Sequence, residues 1–143
     1  MSSIIFLLDT CVLSELIRPA PNTAVTEWIG HQHEHNLYIP SLAIGEMKKG
    51  IELLDIGPKR TRLEAWLPGL VERFSGRVPS FDTDAALLWG NLSARMQRAG
   101  TPRGVVDSQL AAIALSRSMT FVTRNILDFE PLGVPLFNPW DLE

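Results

Sequence analysis

Short apolar runs alternate along the chain with longer stretches in which apolar residues recur at helical spacing. The first run, Ile4 to Leu8, holds five consecutive apolar residues and ends at Asp9. Runs of this length, bounded at once by polar residues, are typical of strands buried on both faces, as in a parallel sheet. Similar segments lie at 37–40, 119–123 and 134–137, and 77–81 is a further candidate. The pattern predicts an early buried strand followed by at least three others.

Helical signals fill the intervals between these segments. Asn22, Ser41 and Asp82 are predicted to cap helices, and Gly57-Pro58 to open another. Pro68 lies within the apolar stripe of that helix and is expected to kink or split it. The predicted helices lie at 11–17, from 22, at 42–54, from 58, from 82 and at 105–118. The last of these is nearly all small and apolar, which predicts that it is buried.

Strands that alternate with helices predict an α/β domain with a central, mainly parallel sheet flanked by helices. Right-handed crossovers place the carboxyl ends of the strands on one side of that sheet. With 143 residues and 45% apolar composition, the chain fits a single domain over 1–143.

Composition restricts where the protein is expected to work. The apolar runs are too short to cross a membrane, and the N-terminus lacks the pattern of a signal peptide. Cys11 is the single cysteine, cannot form an internal disulfide, and is expected to be a buried structural thiol. We therefore expect a cytoplasmic protein that does not contact a membrane. The net charge of −3 argues against a basic protein that coats nucleic acid, but not against a nuclease with an acidic metal site.

Acidic and amide side chains lie at or just beyond the ends of the predicted strands. Asp9 follows the first strand, Glu46 lies early in the helix after the second, and Asp107 stands at the start of the apolar helix. Asn125 and Asp128 follow the strand at 119–123. Asp9, Glu46 and Asp107 each have an alternative structural explanation as a helix cap or as a partner of the helix dipole. However, open α/β sheets bind ligands at this edge, so these side chains are also expected to meet in one crevice.

Carboxylates gathered in one crevice repel one another and tend to become protonated unless their charge is compensated. Divalent cations supply that compensation, and oxygen ligands of this kind suit Mg²⁺ or Mn²⁺. Such an ion generates a hydroxide nucleophile and stabilises the oxygens of a phosphoryl displacement. The acids therefore indicate metal-dependent nuclease chemistry.

Other phosphate and metal chemistries fit the sequence less well. His31 and His35, with His33 between them, would share one face of a helix and suggest a zinc site. However, no third ligand of the kind that a catalytic zinc site needs lies nearby. A polar helix end is the alternative explanation. A phosphatase of the haloacid dehalogenase type also begins with a strand that ends in Asp. It needs a second Asp two residues later, where Cys11 stands. A P-loop is excluded because the chain has no Gly-Lys-Ser/Thr run.

Four segments together resemble the four motifs of PIN domains. They are 8–16 around Asp9, 41–50 around Glu46, 106–114 around Asp107 and 123–129 with Asn125. The terminal Asn-Pro-Trp at 138–140 and the loop at 100–107 are similar to the FitB-like branch of the VapC toxins. The resemblance covers essentially the whole chain and implies the three-layer PIN-domain fold.

The resemblance also implies an activity and partners. It implies an endoribonuclease dependent on Mg²⁺, with Mn²⁺ as an alternative, that forms the toxin half of a VapBC-type toxin-antitoxin pair. The expected partners are RNA and a VapB-like or FitA-like antitoxin, with operator DNA bound only through the antitoxin. PIN toxins commonly form homodimers, to which the apolar stripe from Leu63 to Phe74 could contribute. A FitB-like regulatory protein with weak or no catalysis is the alternative function.

Site residues follow from the matching positions. Asp9, Glu46 and Asp107 match the first three acids, which hold metal and activate water. Asn125 stands where the fourth acid is usual, so this amide or the nearby Asp128 would complete the site. The supporting hydroxyls are expected at Thr10 and Thr123. Arg124, Arg103 and Lys49 are candidates for RNA phosphate contacts, with an antitoxin contact or an ordinary surface charge as the alternative for each.

Overall fold

The computed structural model describes residues 3–142. Its sheet has four parallel strands in the order β2-β1-β3-β4. The strands are β1 (Phe6–Leu8), β2 (Leu37–Tyr38), β3 (Thr120–Val122) and β4 (Leu136–Phe137). The predicted α/β class and parallel sheet are confirmed, and each strand is shorter than the apolar run that predicted it.

Seven α-helices and three short 3-10 helices connect these strands within the described residues. The α-helices are α1 (Thr10–Leu16), α2 (Thr23–Gly30), α3 (Ser41–Glu52), α4 (Pro58–Arg73), α5 (Thr83–Arg98), α6 (Val105–Ser116) and α7 (Ile126–Phe129). The 3-10 helices span Glu34–Asn36, Glu130–Leu132 and Pro139–Leu142. No helix in this part of the chain is long and apolar enough to cross a membrane.

The sheet divides the hydrophobic core into two layers because successive strand residues point to opposite faces. Leu7 and Phe121 face one layer, which α5, α6 and α7 cover. Leu8 and Val122 face the other, which α1, α2, α3 and α4 cover. All four side chains are almost fully buried. The fold is therefore three-layered, with helices on both faces of the sheet.

The order of the strands creates a crevice at the carboxyl ends of β1 and β3. The chain passes from β1 to β2 on one side and then crosses to β3 on the other side of β1. Such a reversal is the point at which open α/β sheets bind ligands. Leu8 pairs with Val122 in the register, and the Asp9 amide donates to the Val122 carbonyl at 3.0 Å. Asp9 and Thr123, the next residues of the two strands, therefore stand side by side at this crevice.

The candidate strand at 77–81 is wrong. The amide of Ile39 donates to the Arg77 carbonyl and that of Ser41 to the Pro79 carbonyl, at 3.1 and 2.9 Å. The segment thus runs beside the chain that follows β2, but Pro79 has no N–H to extend a ladder. Pro68 does not split α4, which continues from Pro58 to Arg73.

Two helix-terminus predictions fail, while two caps are confirmed. Ser41 is the first residue of α3 and makes no capping bond, because Pro40 occupies the cap position. Helix α2 ends at Gly30, so His31 and His35 do not share a helical face, and the premise of a zinc pair is wrong. Asn22 and Asp82 cap α2 and α5, accepting from the Val25 and Ala85 amides at 3.1 and 3.0 Å.

Candidate functional site

Asp9 is a buried carboxylate held in one orientation. Its side chain lies directly after β1 and is 7% exposed as a residue. Oδ1 accepts from the Thr10 amide at 2.8 Å, and Oδ2 accepts from the Thr123 hydroxyl at 2.8 Å and the Cys11 thiol at 3.6 Å. A carboxylate offers about four lone-pair positions, so one on Oδ1 remains for a ligand. Asp9 therefore serves both as the cap of α1 and as an available acceptor.

Two threonines connect the strand ends to the acids. Thr123 is completely buried, donates to Asp9, and accepts from the Asn125 amide at 3.1 Å. Thr10 uses its amide for Asp9 and its hydroxyl for Glu46 Oε1, at 3.1 Å. Glu46 lies in α3, so the Thr10 hydroxyl joins α3 to the end of β1. The two hydroxyls predicted as supporting groups both contact an acid of the site.

Asp107 lies in the first turn of α6, and the beginning of that helix is fixed by a neighbouring side chain. Ser108 is buried, and its hydroxyl lies 2.8 Å from the Gly104 carbonyl and 2.9 Å from that of Val105. The same oxygen accepts from the Trp89 indole on α5 at 2.9 Å. These contacts hold the first turn of α6 against α5, and hence the half-buried Asp107 at the crevice.

Four acids interact electrostatically at this crevice, and we call Asp9, Glu46, Asp107 and Asp128 the acid cluster. Burial raises the pKa of Asp9 above its usual range, against the hydrogen bonds that favour its charge. The pKa of Asp107 is raised by burial and then by the charges of Asp128 and Asp9. Burial of its carboxylate also raises the pKa of Glu46, although the residue is exposed overall, and the charges of Asp9 and Asp107 add to this. The cluster is therefore short of compensating positive charge.

Asn125 and Asp128, the two residues predicted as candidates for the fourth acid position, both lie at or near the start of α7. Asn125, which precedes α7, is exposed and makes no capping bond with its side chain. Asp128 lies three residues later, in the first turn of α7, and its charge raises the pKa of Asp107. A carboxylate therefore acts on the cluster from α7 even though the usual position carries an amide.

The donor set fits a hard divalent cation that keeps part of its water shell. Within residues 3–142, no three His, Cys, Asp or Glu side chains lie close enough together to enclose a metal ion directly. This excludes a zinc-type cage in the described part of the chain. Mg²⁺ needs only one or two direct carboxylates, because water and phosphate supply its other ligands. Mutually repelling carboxylates with a free lone pair on Asp9 match that requirement.

Comparison with known proteins identifies the family. The PIN domain family matches residues 6–128. The chain belongs to the PIN domain family. It is 33% identical over 135 residues to a protein named VapC ribonuclease Y4jK from Sinorhizobium fredii, covering 94% of this chain and 96% of the relative. It is 32% identical over 135 residues to Toxin FitB from Neisseria gonorrhoeae, covering 94% and 97%.

A solved structure confirms the same relationship in three dimensions. The structure of FitAB bound to an IR36 DNA fragment superimposes with a TM-score of 0.91 at 33% identity, covering 97% of this chain and 98% of that one. The expected PIN-domain fold and the resemblance to the VapC and FitB toxins are therefore confirmed. The acid cluster lies at the strand ends of this PIN domain.

The three cations predicted to contact RNA occupy different surroundings. Arg103 precedes α6, and its positive charge lowers the pKa of Asp107, while its Nε is buried without a hydrogen-bond partner. Arg124 is exposed, and its guanidinium lies 5.3 Å from the centre of the Trp140 ring. Lys49 is exposed on α3, and its positive charge lowers the pKa of Glu46, although less than the other contributions change it. Arg103 is thus the cation most directly coupled to Asp107.

Sequence reasoning missed two groups that shape the PIN-domain site. Cys11 is half-buried between Asp9 and Thr123, and burial followed by the charge of Asp9 raises the pKa of its thiol. The thiol is therefore a hydrogen-bond donor to the site, in addition to the structural role predicted for it. Ser108 and Trp89 were also missed as a pair, because 19 residues separate them and neither helix pattern links them.

Proposed function

We propose that this PIN domain is a metal-dependent endoribonuclease and the toxin half of a toxin-antitoxin pair. Its metal would be Mg²⁺, with Mn²⁺ as a substitute. The cognate antitoxin would be a VapB-like or FitA-like protein, and operator DNA would be bound only through that partner. The relatives' names, VapC ribonuclease and Toxin FitB, support the activity, and the FitAB–DNA structure supports the partnership. A homodimer is part of the proposal.

The acid cluster is the observation that carries the proposal. The charges of neighbouring acids raise the pKa of Glu46 and of Asp107, and the cluster lies at the reversal of the strand order, where binding sites of this fold class form. Structural carboxylates would gain stability from paired cations, whereas these acids are mutually destabilising in the absence of a ligand. Titratable groups whose pKa values are shifted by burial and by like charges in a crevice are typical of functional sites.

The residues divide into groups that hold the metal and groups that hold RNA. Asp9, through its remaining lone pair, and Asp107 would hold the ion, with Glu46 and Asp128 contributing directly or through water. When bound, the metal would make hydroxide available as a nucleophile near neutral pH and would compensate the negative charge of the phosphate. Thr10 and Thr123 keep the carboxylates oriented by the hydrogen bonds described above.

The cations would orient the RNA backbone relative to those acids. Arg103 is coupled to Asp107 and would contact the phosphate nearest the reaction. Arg124 and Lys49 are exposed and would contact phosphates further away. Arginine binds phosphate through two parallel N–H donors, so it fixes orientation as well as charge.

Cleavage of total cellular RNA by the antitoxin-free protein tests the proposal. Cleavage is expected with Mg²⁺ and with Mn²⁺, and is expected to cease with chelator. Asp107→Asn, purified in the same way, should be inactive, whereas Asp84→Asn, which changes an acid in the first turn of α5, should cut like the unmodified protein. Cleavage by Asp107→Asn at the unmodified rate would contradict the site assignment.

A regulatory protein without catalysis is the second candidate, because Asn125 replaces the usual fourth carboxylate. The charge of Asp128 near Asp107 supports the catalytic proposal over this one. If the unmodified protein cuts no RNA under any of these metals, yet binds operator DNA together with its antitoxin, the regulatory function would replace the nuclease.

A further inference from the structure

The turn at 138–140 is attached to α1 through a buried carboxylate. Glu15 lies near the end of α1 and is 5% exposed. It accepts from the Asn22 amide at 3.1 Å, from Arg18 at 3.3 Å and from the Trp140 indole. The bond from the Asn22 amide, followed by the charge of Arg18 and the indole bond, holds the pKa of Glu15 below its usual range in spite of burial. Glu15 is therefore a charged anchor for this turn.

The indole ring of Trp140 is held at both ends. Its N–H is bound to Glu15, and the backbone amide of Trp140 donates to Asn138 Oδ1 at 2.9 Å. Pro139, between them, is buried and restricts the backbone. The ring itself is half-buried and packs against the hydrophobic layer that α1, α2, α3 and α4 cover. Because a rotation of the ring would break the bond to Glu15, the ring presents one face at a fixed place.

The Arg124 guanidinium lies over that ring, 5.3 Å from its centre. The residue before it is Thr123, whose hydroxyl donates to Asp9. The amide of Arg124 donates to the Cys11 sulfur, so its backbone is fixed at the carboxyl end of β3. Arg124 is exposed and forms no ion pair with any other residue of 3–142.

A second contact between an arginine and a ring of the same hydrophobic layer serves for comparison. The Arg77 guanidinium lies 4.6 Å from the centre of the Phe74 ring, but it also donates to the Leu37 carbonyl at 2.6 Å and pairs with an acid at 3.6 Å. Its donors and its charge are used within the protein. Arg124 differs, because a ring face attracts a guanidinium without neutralising its charge or occupying its N–H donors. The Trp140 contact therefore orients a cation that stays available to a ligand.

We propose that Trp140, anchored by Glu15, is a positioning residue that holds the Arg124 guanidinium at the end of β3 for an RNA phosphate. The inference rests on the proposed ribonuclease function. A side chain that is oriented before binding loses less entropy when its ligand arrives, and a planar guanidinium binds phosphate through two donors only in the correct orientation. The turn at 138–140 therefore acts on RNA binding through Arg124, without contacting the RNA.

Two other roles for the Trp140 ring predict different behaviour. A ring that only fills the hydrophobic layer contributes to stability and leaves RNA binding unchanged. A ring that contacts the ligand directly contributes to affinity whether Arg124 is present or absent. Positioning alone makes the effect of the ring depend on the arginine. It also changes the number of phosphate contacts, although the indole carries no charge.

The orientation of Arg124 is measured first, in the RNA-free protein, by NMR of the arginine side chains. Protons over the face of an indole are shielded by its ring current, so the Arg124 resonances, assigned by their loss in Arg124→Gln, should be shifted upfield. Trp140→Leu should remove this shift, and Trp140→Phe should retain part of it. Phe74→Leu, which removes the ring under Arg77, is the matched control and should leave the Arg124 resonances in place.

RNA binding is then measured by fluorescence anisotropy as a function of salt concentration. The probe is a labelled, unstructured RNA of mixed sequence, and an Asp107→Asn background with Mg²⁺ present keeps it intact. Arg124→Gln should reduce the magnitude of the slope of log K against log salt by about 0.7, the contribution of one phosphate contact, and weaken binding about fourfold at about 0.15 M salt. Trp140→Leu should reduce the slope towards the same value and weaken binding about two- to fourfold.

Combining the two changes tests whether one depends on the other. Arg124→Gln with Trp140→Leu should bind RNA like Arg124→Gln alone, because the ring acts only through the arginine. Trp140→Phe should retain most of the salt slope, and Phe74→Leu all of it. Thermal unfolding of each variant ensures that folded proteins are compared. In an active protein with Asp107 intact, Trp140→Leu should raise KM with little change in kcat.

Three results would overturn the inference. An Arg124 shift that survives in Trp140→Leu would mean that the ring does not hold the arginine. An unchanged salt slope and affinity in Trp140→Leu would leave the ring with a packing role only. A loss of affinity that adds to that of Arg124→Gln at constant slope would make the ring a direct contact of the RNA.

The proposed function can fail separately. If the salt slopes follow the predicted pattern but the unmodified protein cuts no RNA, the positioning role is retained and the nuclease is lost. If Arg124→Gln instead leaves RNA binding unchanged in a protein that cuts RNA, the inference is wrong and the nuclease is retained.

Discussion

Replacing Asp107 by Asn should abolish activity and yet leave the stability of the metal-free protein nearly unchanged. The carboxylate is half-buried, and the charges of Asp128 and Asp9 raise its pKa in addition to burial. The structure shows no hydrogen bond to this side chain from the described residues. An amide of the same shape therefore removes repulsion and leaves no buried donor without its acceptor.

The magnitude follows from the opposing contributions. Two like unit charges at close range repel by about 1 kcal/mol in water and by more at a protein surface. Asp107 is half-exposed, so screening by solvent and salt reduces the repulsion that it experiences to about 0.5–1 kcal/mol. The variant also loses attraction to Arg103 and to the N-terminus of α6, the latter worth about 0.3–1 kcal/mol. These contributions nearly cancel, so the free energy of unfolding should change little. Asp84→Asn loses only the helix-dipole contribution, so the two variants should differ by about 1 kcal/mol, or 2–4 °C in Tm.

Thermal unfolding in chelator and in Mg²⁺ is the assay. At about a hundred times its Kd, Mg²⁺ should stabilise the unmodified protein and Asp84→Asn by about 2.7 kcal/mol. Asp107→Asn should gain much less, because it lacks a ligand. In chelator, the stability of Asp107→Asn relative to the unmodified protein should increase as the pH rises above the ordinary Asp pKa of 3.8, since only the ionised carboxylate is repelled.

Two results would refute this reasoning. If Asp107→Asn in chelator were destabilised as much as Asp84→Asn, the repulsion within the acid cluster would be absent. If Mg²⁺ raised the Tm of Asp107→Asn as much as that of the unmodified protein, Asp107 would not contribute to metal binding.

Three further predictions follow from the same contacts. The folded-state pKa values of Asp9, Glu46 and Asp107 are raised, so ionisation of these acids costs stability. The metal-free protein should therefore lose stability as the pH rises through those pKa values. Mg²⁺ affinity, measured by calorimetry, should instead increase over the same pH range. Thr123→Val removes the donor to Asp9 and an acceptor at a fully buried position, so urea unfolding should show a loss of about 1–3 kcal/mol, most of which Thr123→Ser recovers. Asp128→Asn should weaken Mg²⁺ binding in calorimetry, whereas Asn125→Ala should leave it unchanged.

The sheet was predictable because a strand buried on both faces leaves a strong signal. Ile4 to Leu8 and the segment at 119–123 are apolar without interruption, since α-helices cover both faces of the two central strands. The segment at 77–81 carries a similar signal for another reason. Val78 packs against the core and Pro79 is buried, but the proline cannot donate to a ladder. Apolar composition reports burial, and the backbone donors decide whether a buried segment joins the sheet.

The site was predictable only as far as the strand ends determine it. Asp9 and Thr123 each follow a central strand, so the register of β1 and β3 brings them together and the sequence can indicate it. Asp128 differs, because its charge reaches Asp107 through the path of the chain after β3, which no periodicity describes. An Asn at the usual fourth position therefore does not leave α7 without a nearby negative charge, since Asp128 lies three residues later and its charge raises the pKa of Asp107. Negative charge at this crevice can thus come from more than one position along the chain, and only the fold shows which positions are close enough to interact.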